Sequence, residues 1–263
     1  MAGLISYRGA AFWIGLAFFS ILEHRIPFRS RTDPALRHAS VNLTLAAVNG
    51  GLLFLLVVGV ERWGVVPPPT GLLSLFDIGP AWRLAASILY LDGVTYLFHA
   101  AYHRLPWLWR LHRVHHTDRD LDATSASRFH AGEVVLSATL RFIMAIPLGP
   151  SVAEVEIFAL LLLFSAQFQH ANFRLPAVIE PAVRAIFVTP DMHRVHHSEQ
   201  PAETRANFSA VFSFWDRLFG TYRMAPQTGI VIGLPEYRER ASRTLIGLLR
   251  MPFTRSREPA PRL

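Results

Sequence analysis

Residues 82–116 read WRLAASILYLDGVTYLFHAAYHRLPWLWRLHRVHH. As a helix, Trp82 to Ala101 is long enough to cross a bilayer core of about 30 Å, and only Arg83 and Asp92 interrupt its apolar run. The stretch then turns polar, and His99, His103, His112, His115 and His116 follow in quick succession. A spanning helix that delivers histidines to its own end decides how the rest of the chain is read.

On the N-terminal side, Val41 to Val60 is uncharged and closed by Glu61 and Arg62, and Pro67, Pro68, Pro69 and Gly71 prevent its continuation. Ala10 to Leu22 is a shorter apolar run ended by Glu23, His24 and Arg25. No small-residue cleavage site accompanies it, so it reads as a retained anchor. On the C-terminal side, Val134–Leu148 and Val152–Phe168 flank Gly149 and Pro150, the pattern of a short membrane hairpin. The expectation is an all-α integral membrane helical bundle with four to five membrane segments, the last two a hairpin, under a cytoplasmic histidine-rich helical cap. Its divisions would be anchor helices at 1–80, a histidine-bearing domain at 81–225 with the hairpin at 134–168, and a basic tail at 226–263.

Composition agrees. The 263 residues are 51% hydrophobic and 17% charged, against about 25% charged in ordinary soluble domains. Cysteine is absent, which excludes disulfides and thiolate metal sites. The net charge is +7, and all 26 basic residues are arginine. They fall between apolar runs rather than along one solvated stripe, so nucleic acid is not an expected partner. Four arginines lie between 25 and 37 and five between 104 and 128, against one between 61 and 80. The positive-inside rule then places the histidine side in the cytoplasm, with a bacterial inner membrane as the expected location. From Tyr237 onward, arginines alternate with Leu245, Ile246, Leu248 and Leu249. That pattern suits either an amphipathic helix on anionic lipid or a solvated basic tail.

The pentapeptide His-Arg-Val-His-His occurs at 112–116 and again at 193–197. Positions i, i+3 and i+4 share a helix face, so each triplet is expected to converge, as is the pair His99 and His103. Imidazole suits zinc, iron, copper and nickel, and eight such groups are too many for one metal and about right for two. His24 and His38 match no pattern and read as interfacial anchors. Asp92, Tyr96, His99 and His103 form one helical stripe. A carboxylate inside a spanning helix marks function by default. Asp92 and Tyr96 could orient a ligating histidine, or Asp92 could simply pair with Arg83 or another helix.

These residues resemble the fatty acid hydroxylase and sterol desaturase superfamily, integral membrane oxygenases with three histidine boxes and a non-haem di-iron centre. The likeness rests on His99 to His103, His112 to His116 and His193 to His197. It extends to Arg128-x-His130-x-x-Glu133, His170-x-Asn172, Thr189-Pro190-x-x-His193, Asn207 and Trp215-Asp216-x-Leu218-Phe219-Gly220-Thr221. The chain departs from the family pattern at Ala131, where proline is usual, and at Ser209, where glycine is usual. The resemblance implies two iron ions, or zinc in their place, held by His99, His103, His112, His115, His116, His193, His196 and His197. His170 would be a ninth ligand and His130 a tenth, unless His130 orients a ligand or lines a substrate channel. Asp92, Tyr96, Glu133, Asn172, Asp191 and Asn207 would support the ligands from outside.

The implied activity is O2-dependent hydroxylation or desaturation of a lipid, such as a fatty acyl chain, sterol or isoprenoid. Electrons would come from a separate reductase, ferredoxin or cytochrome, because the chain shows no haem, flavin or nicotinamide signature. Two other classes use the same residues: a non-enzymatic metal-binding membrane protein and a zinc-dependent membrane hydrolase. A transporter would line a path across the bilayer, whereas these histidines gather at one end, and a hydrolytic zinc typically needs only three protein ligands.

Overall fold

The computed structural model describes residues 2–62 and 71–254, apart from the side chains of residues 2–6 and 61. The triple proline at 67–69 and the arginines at 255, 257 and 262 lie outside them. Five long helices run alongside one another: α1 (Ala2–Arg25), α2 (Ala35–Arg62), α3 (Pro80–Arg104), α5 (Ala131–Ala145) and α6 (Val152–His170). Between α3 and α5 lies α4 (Pro106–His116). Among the described residues, three helices are long and apolar enough to cross a membrane: Ala35–Val60, Pro80–Arg104 and Val152–His170. Their outward faces, and that of α1, carry large exposed apolar side chains such as Trp13, Phe18, Leu55 and Leu97.

Contacts at the two ends fix the directions. Arg8 pairs with Glu156, while the Glu23 carboxylate accepts from the Asn172 amide at 2.9 Å, so α1 runs parallel to α6. The Ser87 hydroxyl donates to Glu154 at 3.1 Å near the start of both helices, so α3 also runs parallel to α6. The Tyr90 hydroxyl donates to the Met144 carbonyl and the Tyr102 hydroxyl bonds Ser137, which makes α5 antiparallel to α3. α1, α3 and α6 therefore deliver their C-termini, and α2 and α5 their N-termini, to one common end.

The hairpin between α5 and α6 forms as its sequence predicts. Gly149 sits at φ +73°, a conformation that favours glycine. Its backbone packs so tightly on Gly71 that a Cβ on Gly71 would lie 2.3 Å from the Gly149 nitrogen. Ser151 and Glu154 then close a capping box at the start of α6. Arg83 latches this end by donating to the carbonyls of Leu73 and Gly149.

At the opposite end, Leu105 is extended and Pro106 opens α4, so the chain turns sharply just after His103. The cap continues through α7 (Glu180–Ile186), α8 (Pro190–His196), α9 (Pro201–Thr204) and α10 (Phe214–Leu218), and ends with α11 (Leu245–Arg250). As far as Thr254 the C-terminal segment is not a solvated tail. Leu248 and Met251 pack with Leu45, Trp109, Val114 and Tyr237 in one apolar core, where enough nonpolar surface is buried to fold the segment back.

Candidate metal centre

Four helices carry nine histidines to the common end. α3 supplies His99 and His103, α4 supplies His112, His115 and His116, α6 supplies His170 at its last turn, and α8 with its C-cap supplies His193, His196 and His197. α8 begins at Thr189, whose hydroxyl accepts from the Met192 amide, with Pro190 in the first turn. The Thr189-Pro190 pair is therefore a helix start that sets the angular position of the three histidines behind it.

The nine form two groups. His99, His103, His112, His116 and His196 offer nitrogens within 4.8 Å of one another, and His115, His170, His193 and His197 do the same. The triplets do not each converge, contrary to the sequence expectation. His112 and His116 join the first group and His115 the second, while His193 and His197 join the second and His196 the first. At roughly 100° per residue, positions i and i+4 point about 40° apart and i+3 swings out on the other flank. Each repeat thus gives its outer pair to one group and its i+3 histidine to the other.

The nitrogens are those a metal requires. Nδ1 of His99 donates to the Phe208 carbonyl (2.9 Å), Nδ1 of His196 to the Ala206 carbonyl (2.8 Å) and Nδ1 of His170 to the Ala166 carbonyl (2.7 Å). Nδ1 of His112 faces the Glu133 carboxylate at 2.7 Å. A proton held on Nδ1 leaves the Nε2 lone pair free. Nε2 of His99, His103, His112, His116 and His196 is indeed buried without a partner. In the second group, Nε2 of His170 lies 3.0 Å from Nε2 of both His115 and His193, and His193 lies 3.1 Å from His197. One proton satisfies two such nitrogens, not four. A single metal ion among them would take up all four lone pairs. Burial, reinforced by neighbouring imidazoles, pushes His115, His116, His193 and His197 well below the ordinary histidine range and His196 down to about 3. All five are therefore neutral at physiological pH, the form that donates to a metal. The donor set fits two metal ions.

The outer residues divide. Glu133 contacts His112 directly. Among the described residues, Asp92 and Tyr96 form no hydrogen bond with a histidine, and Arg83 pairs with Glu154 rather than with Asp92. The Asp92 carboxylate accepts from the amides of Val211 and Phe212 and from the Trp215 indole at 2.9–3.1 Å, and the Tyr96 hydroxyl bonds Thr221 at 2.8 Å. They hold the 207–221 segment against α3, and that segment presents the Phe208 carbonyl to His99. Asn207, in a left-handed conformation at φ 58°, donates to the carbonyls of Met192 and Arg223. Asp216 completes the loop by accepting from the amides of Phe208 and Ser209, and the Ser209 hydroxyl accepts from the Asp216 amide. Asp191 pairs with Arg194 and Arg174, and Asn172 exchanges hydrogen bonds with the backbone of Arg29. His130 lies outside both groups. It caps α5, its Nδ1 accepting from the Gly132 amide at 3.0 Å, while Nε2 faces the Leu249 carbonyl.

His38 is the residue that sequence reasoning missed. It is buried at the head of α2, with Nε2 2.8 Å from Asp118 and Nδ1 3.1 Å from Asp122. Burial alone would raise the Asp118 carboxyl, but the charges of His38 and Arg128 and hydrogen bonds from His38 and Ser125 hold it below the usual carboxylate range. The interfacial-anchor reading of His38 fails: the ring fastens α2 to the loop that leaves His116. The acidic alternation Asp118, Asp120, Asp122 beside a histidine box was the signal available in the sequence.

Residues 84–221, slightly more than half of the chain, match the family model for fatty acid hydroxylases. The chain belongs to the fatty acid hydroxylase family. Relatives include alkylglycerol monooxygenase of Caenorhabditis elegans, 28% identical over 170 residues (65% of this chain, 31% of that protein). The Danio rerio alkylglycerol monooxygenase is 32% identical over 153 residues, 58% of this chain and 32% of its own. Ornithine lipid hydroxylase OlsE of Rhizobium tropici is 26% identical over 176 residues, covering 66% of this chain and 51% of that protein. The match thus spans about a third of the alkylglycerol monooxygenases and about half of OlsE. No solved structure matches the chain. Among fatty acid hydroxylase features, both histidine groups fall within the matched residues, whereas His38 lies before them.

Proposed function

We propose that this chain is a membrane-embedded lipid hydroxylase that holds two iron ions, one in each histidine group, and uses O2 and electrons from an external donor protein. The observation that carries the reading is the pair of buried imidazole groups, one with five unpartnered Nε2 atoms and the other with four Nε2 atoms that meet only one another. The family membership supports oxygen chemistry over storage or hydrolysis, and the relatives' names favour hydroxylation over desaturation. The arginine-rich helix ends at the histidine side support a cytoplasmic cap.

When bound, the iron pair supplies the oxidising power to attack an unactivated C–H bond. His99, His103, His112, His116 and His196 would hold one ion, and His115, His170, His193 and His197 the other. Glu133 would make His112 the more basic by accepting its Nδ1 proton, and the Phe208, Ala206 and Ala166 carbonyls would fix the rings of His99, His196 and His170. Phe208, itself buried, and Phe129, stacked 4.2 Å from the His115 ring, exclude water from the site. An acyl chain or other lipid would approach from the bilayer beside α3, α5 and α6.

Elemental analysis of protein from iron-supplemented cells tests this reading, beside a variant carrying His196→Ala and His197→Ala. These substitutions remove one nitrogen from each group. About two irons per chain, lost in the variant, is the expected result. A single zinc per chain, or metal that survives the double substitution, would overturn it.

A further inference from the structure

A cleft of about 200 Å³ is lined by residues that neighbour the second histidine group in the chain, among them Asn172 and Arg194. Five arginines line it: Arg29, Arg31, Arg119, Arg194 and Arg238. Three have carboxylate partners, since Arg31 pairs with Asp122, Arg194 with Asp191 and Arg238 with Glu199. Arg29 instead donates to the carbonyls of Ile230 (2.7 Å) and Gln227 (2.8 Å). No carboxylate lies within ion-pair distance of Arg29 or Arg119 among the described residues. Asp120, the one acidic residue in the lining, is occupied by the backbone and hydroxyl of Thr32 and the amide of Asp33. The cleft's five arginines therefore outnumber the four carboxylates around it, Asp120, Asp122, Asp191 and Glu199, the charge of Asp191 reaching Arg29 from beyond ion-pair distance.

The position of the cleft matters as much as its charge. Arg29 lies four residues past the end of α1, at the end of the bundle where the histidines gather. Arg194 follows His193, Asn172 lies two residues past His170, and Arg119 three past His116. The Gly233 amide donates to the His197 carbonyl, tying the opposite wall to the same group. Planar guanidinium groups match the oxygens of a phosphate or similar oxyanion, and a cleft of this size suits a small group rather than a protein surface.

We infer that this cleft is a binding site for a phosphate-class anion, supplied either by a lipid headgroup at the membrane surface or by a soluble phosphate. The anion sits between Arg29 and Arg119, held by the guanidinium groups, and no bond is made or broken. The site requires neither the metals nor the oxygen chemistry.

The test is titration of the full chain, in nanodiscs of phosphatidylcholine at constant ionic strength, with inorganic phosphate followed by calorimetry. Saturable binding of one phosphate per chain is expected, about tenfold weaker in Arg119→Gln, the loss that follows from removing one charge-assisted contact. Arg110→Gln, an exposed arginine elsewhere on the cap, removes the same charge and should leave the affinity unchanged. Nanodiscs containing phosphatidic acid identify the source. Loss of the phosphate heat there assigns the site to a lipid headgroup, and its persistence assigns it to a soluble anion. Absence of saturation, equal affinity in Arg119→Gln, or equal weakening in Arg110→Gln would overturn the proposal. The same titration on the His196→Ala/His197→Ala variant separates it from the metal assignment, since binding should survive there.

Discussion

Replacing His38 with alanine is expected to destabilise the protein strongly, although the residue lies outside both histidine groups. The ring is buried, and its two nitrogens face the carboxylates of Asp118 and Asp122. An imidazole in that position donates from both nitrogens, so its removal deletes two charge-assisted hydrogen bonds and leaves two buried carboxylates short of donors. Asp118 keeps the Ser125 hydroxyl and the Asp120 amide, and Asp122 keeps Arg31 and the Thr124 amide. Those remaining partners place the cost at the lower end of the range for breaking a buried pair, about 3 kcal/mol. At about 2–4 °C per kcal/mol for a chain of this size, the melting temperature should fall by about 6–12 °C. Thermal unfolding of purified protein in one detergent, wild type beside His38→Ala, measures it, with iron content determined on the same samples. A shift below about 2 °C would refute the reasoning, because a buried pair that costs so little to break would not be holding α2 to the cap.

Glu133→Gln keeps the shape but weakens the acceptor on His112 Nδ1, and should reduce metal affinity by about 10–100-fold in chelator competition; unchanged affinity would mean that the contact does not tune the ligand. Asp92→Asn places an amide NH2 among three donors and should loosen the 207–215 loop by about 1–3 kcal/mol, lowering activity and metal retention while protease mapping reports the same topology. If both stay at wild-type values, the loop does not position His99. His196→Ala alone removes a nitrogen from the first group only, so about one iron per chain should remain; loss of both irons from a folded variant would show that the groups fill as a single unit.

What could be read from the sequence follows from which interactions are local. The spans around residues 41–60, 82–101 and 152–168 are apolar by composition, and lipid imposes that composition whatever the neighbours. The turn at Gly149-Pro150 and the helix start at Thr189-Pro190 are backbone preferences of two adjacent residues. His38 was illegible because its meaning lies 80 residues away, in carboxylates that only the fold brings to it. The same holds for Asp92, whose place on a helical stripe with His99 suggested contact along the helix. Its three donors come from residues 211–215 instead. His130 looked like a ligand because histidine is chemically able to be one. The backbone there used it as a helix cap, a role its Nδ1 performs with a neighbour two residues on. The solvated-tail reading of the C-terminal segment followed from its arginines, whereas Leu248 and Met251 find a core assembled largely from α2 and α4.

The repeated pentapeptide illustrates how far a local pattern can encode a non-local site. A helix offering only i and i+4 histidines could turn about its axis by several tens of degrees and still serve one metal. The i+3 histidine removes that freedom, because it must reach a second group on the other flank at the same time. α4 and α8 each satisfy this double demand, and they do so reciprocally: His115 crosses to the group anchored by His193 and His197, and His196 crosses to the group that includes His112 and His116. The ring stack of His116 on His197, with centroids 4.4 Å apart, marks the seam between the two groups. Each short helix is thereby held in rotation by its partner's histidines. This explains why seven- and eleven-residue helices, too short to be stable on their own, can define a buried site of nine imidazoles.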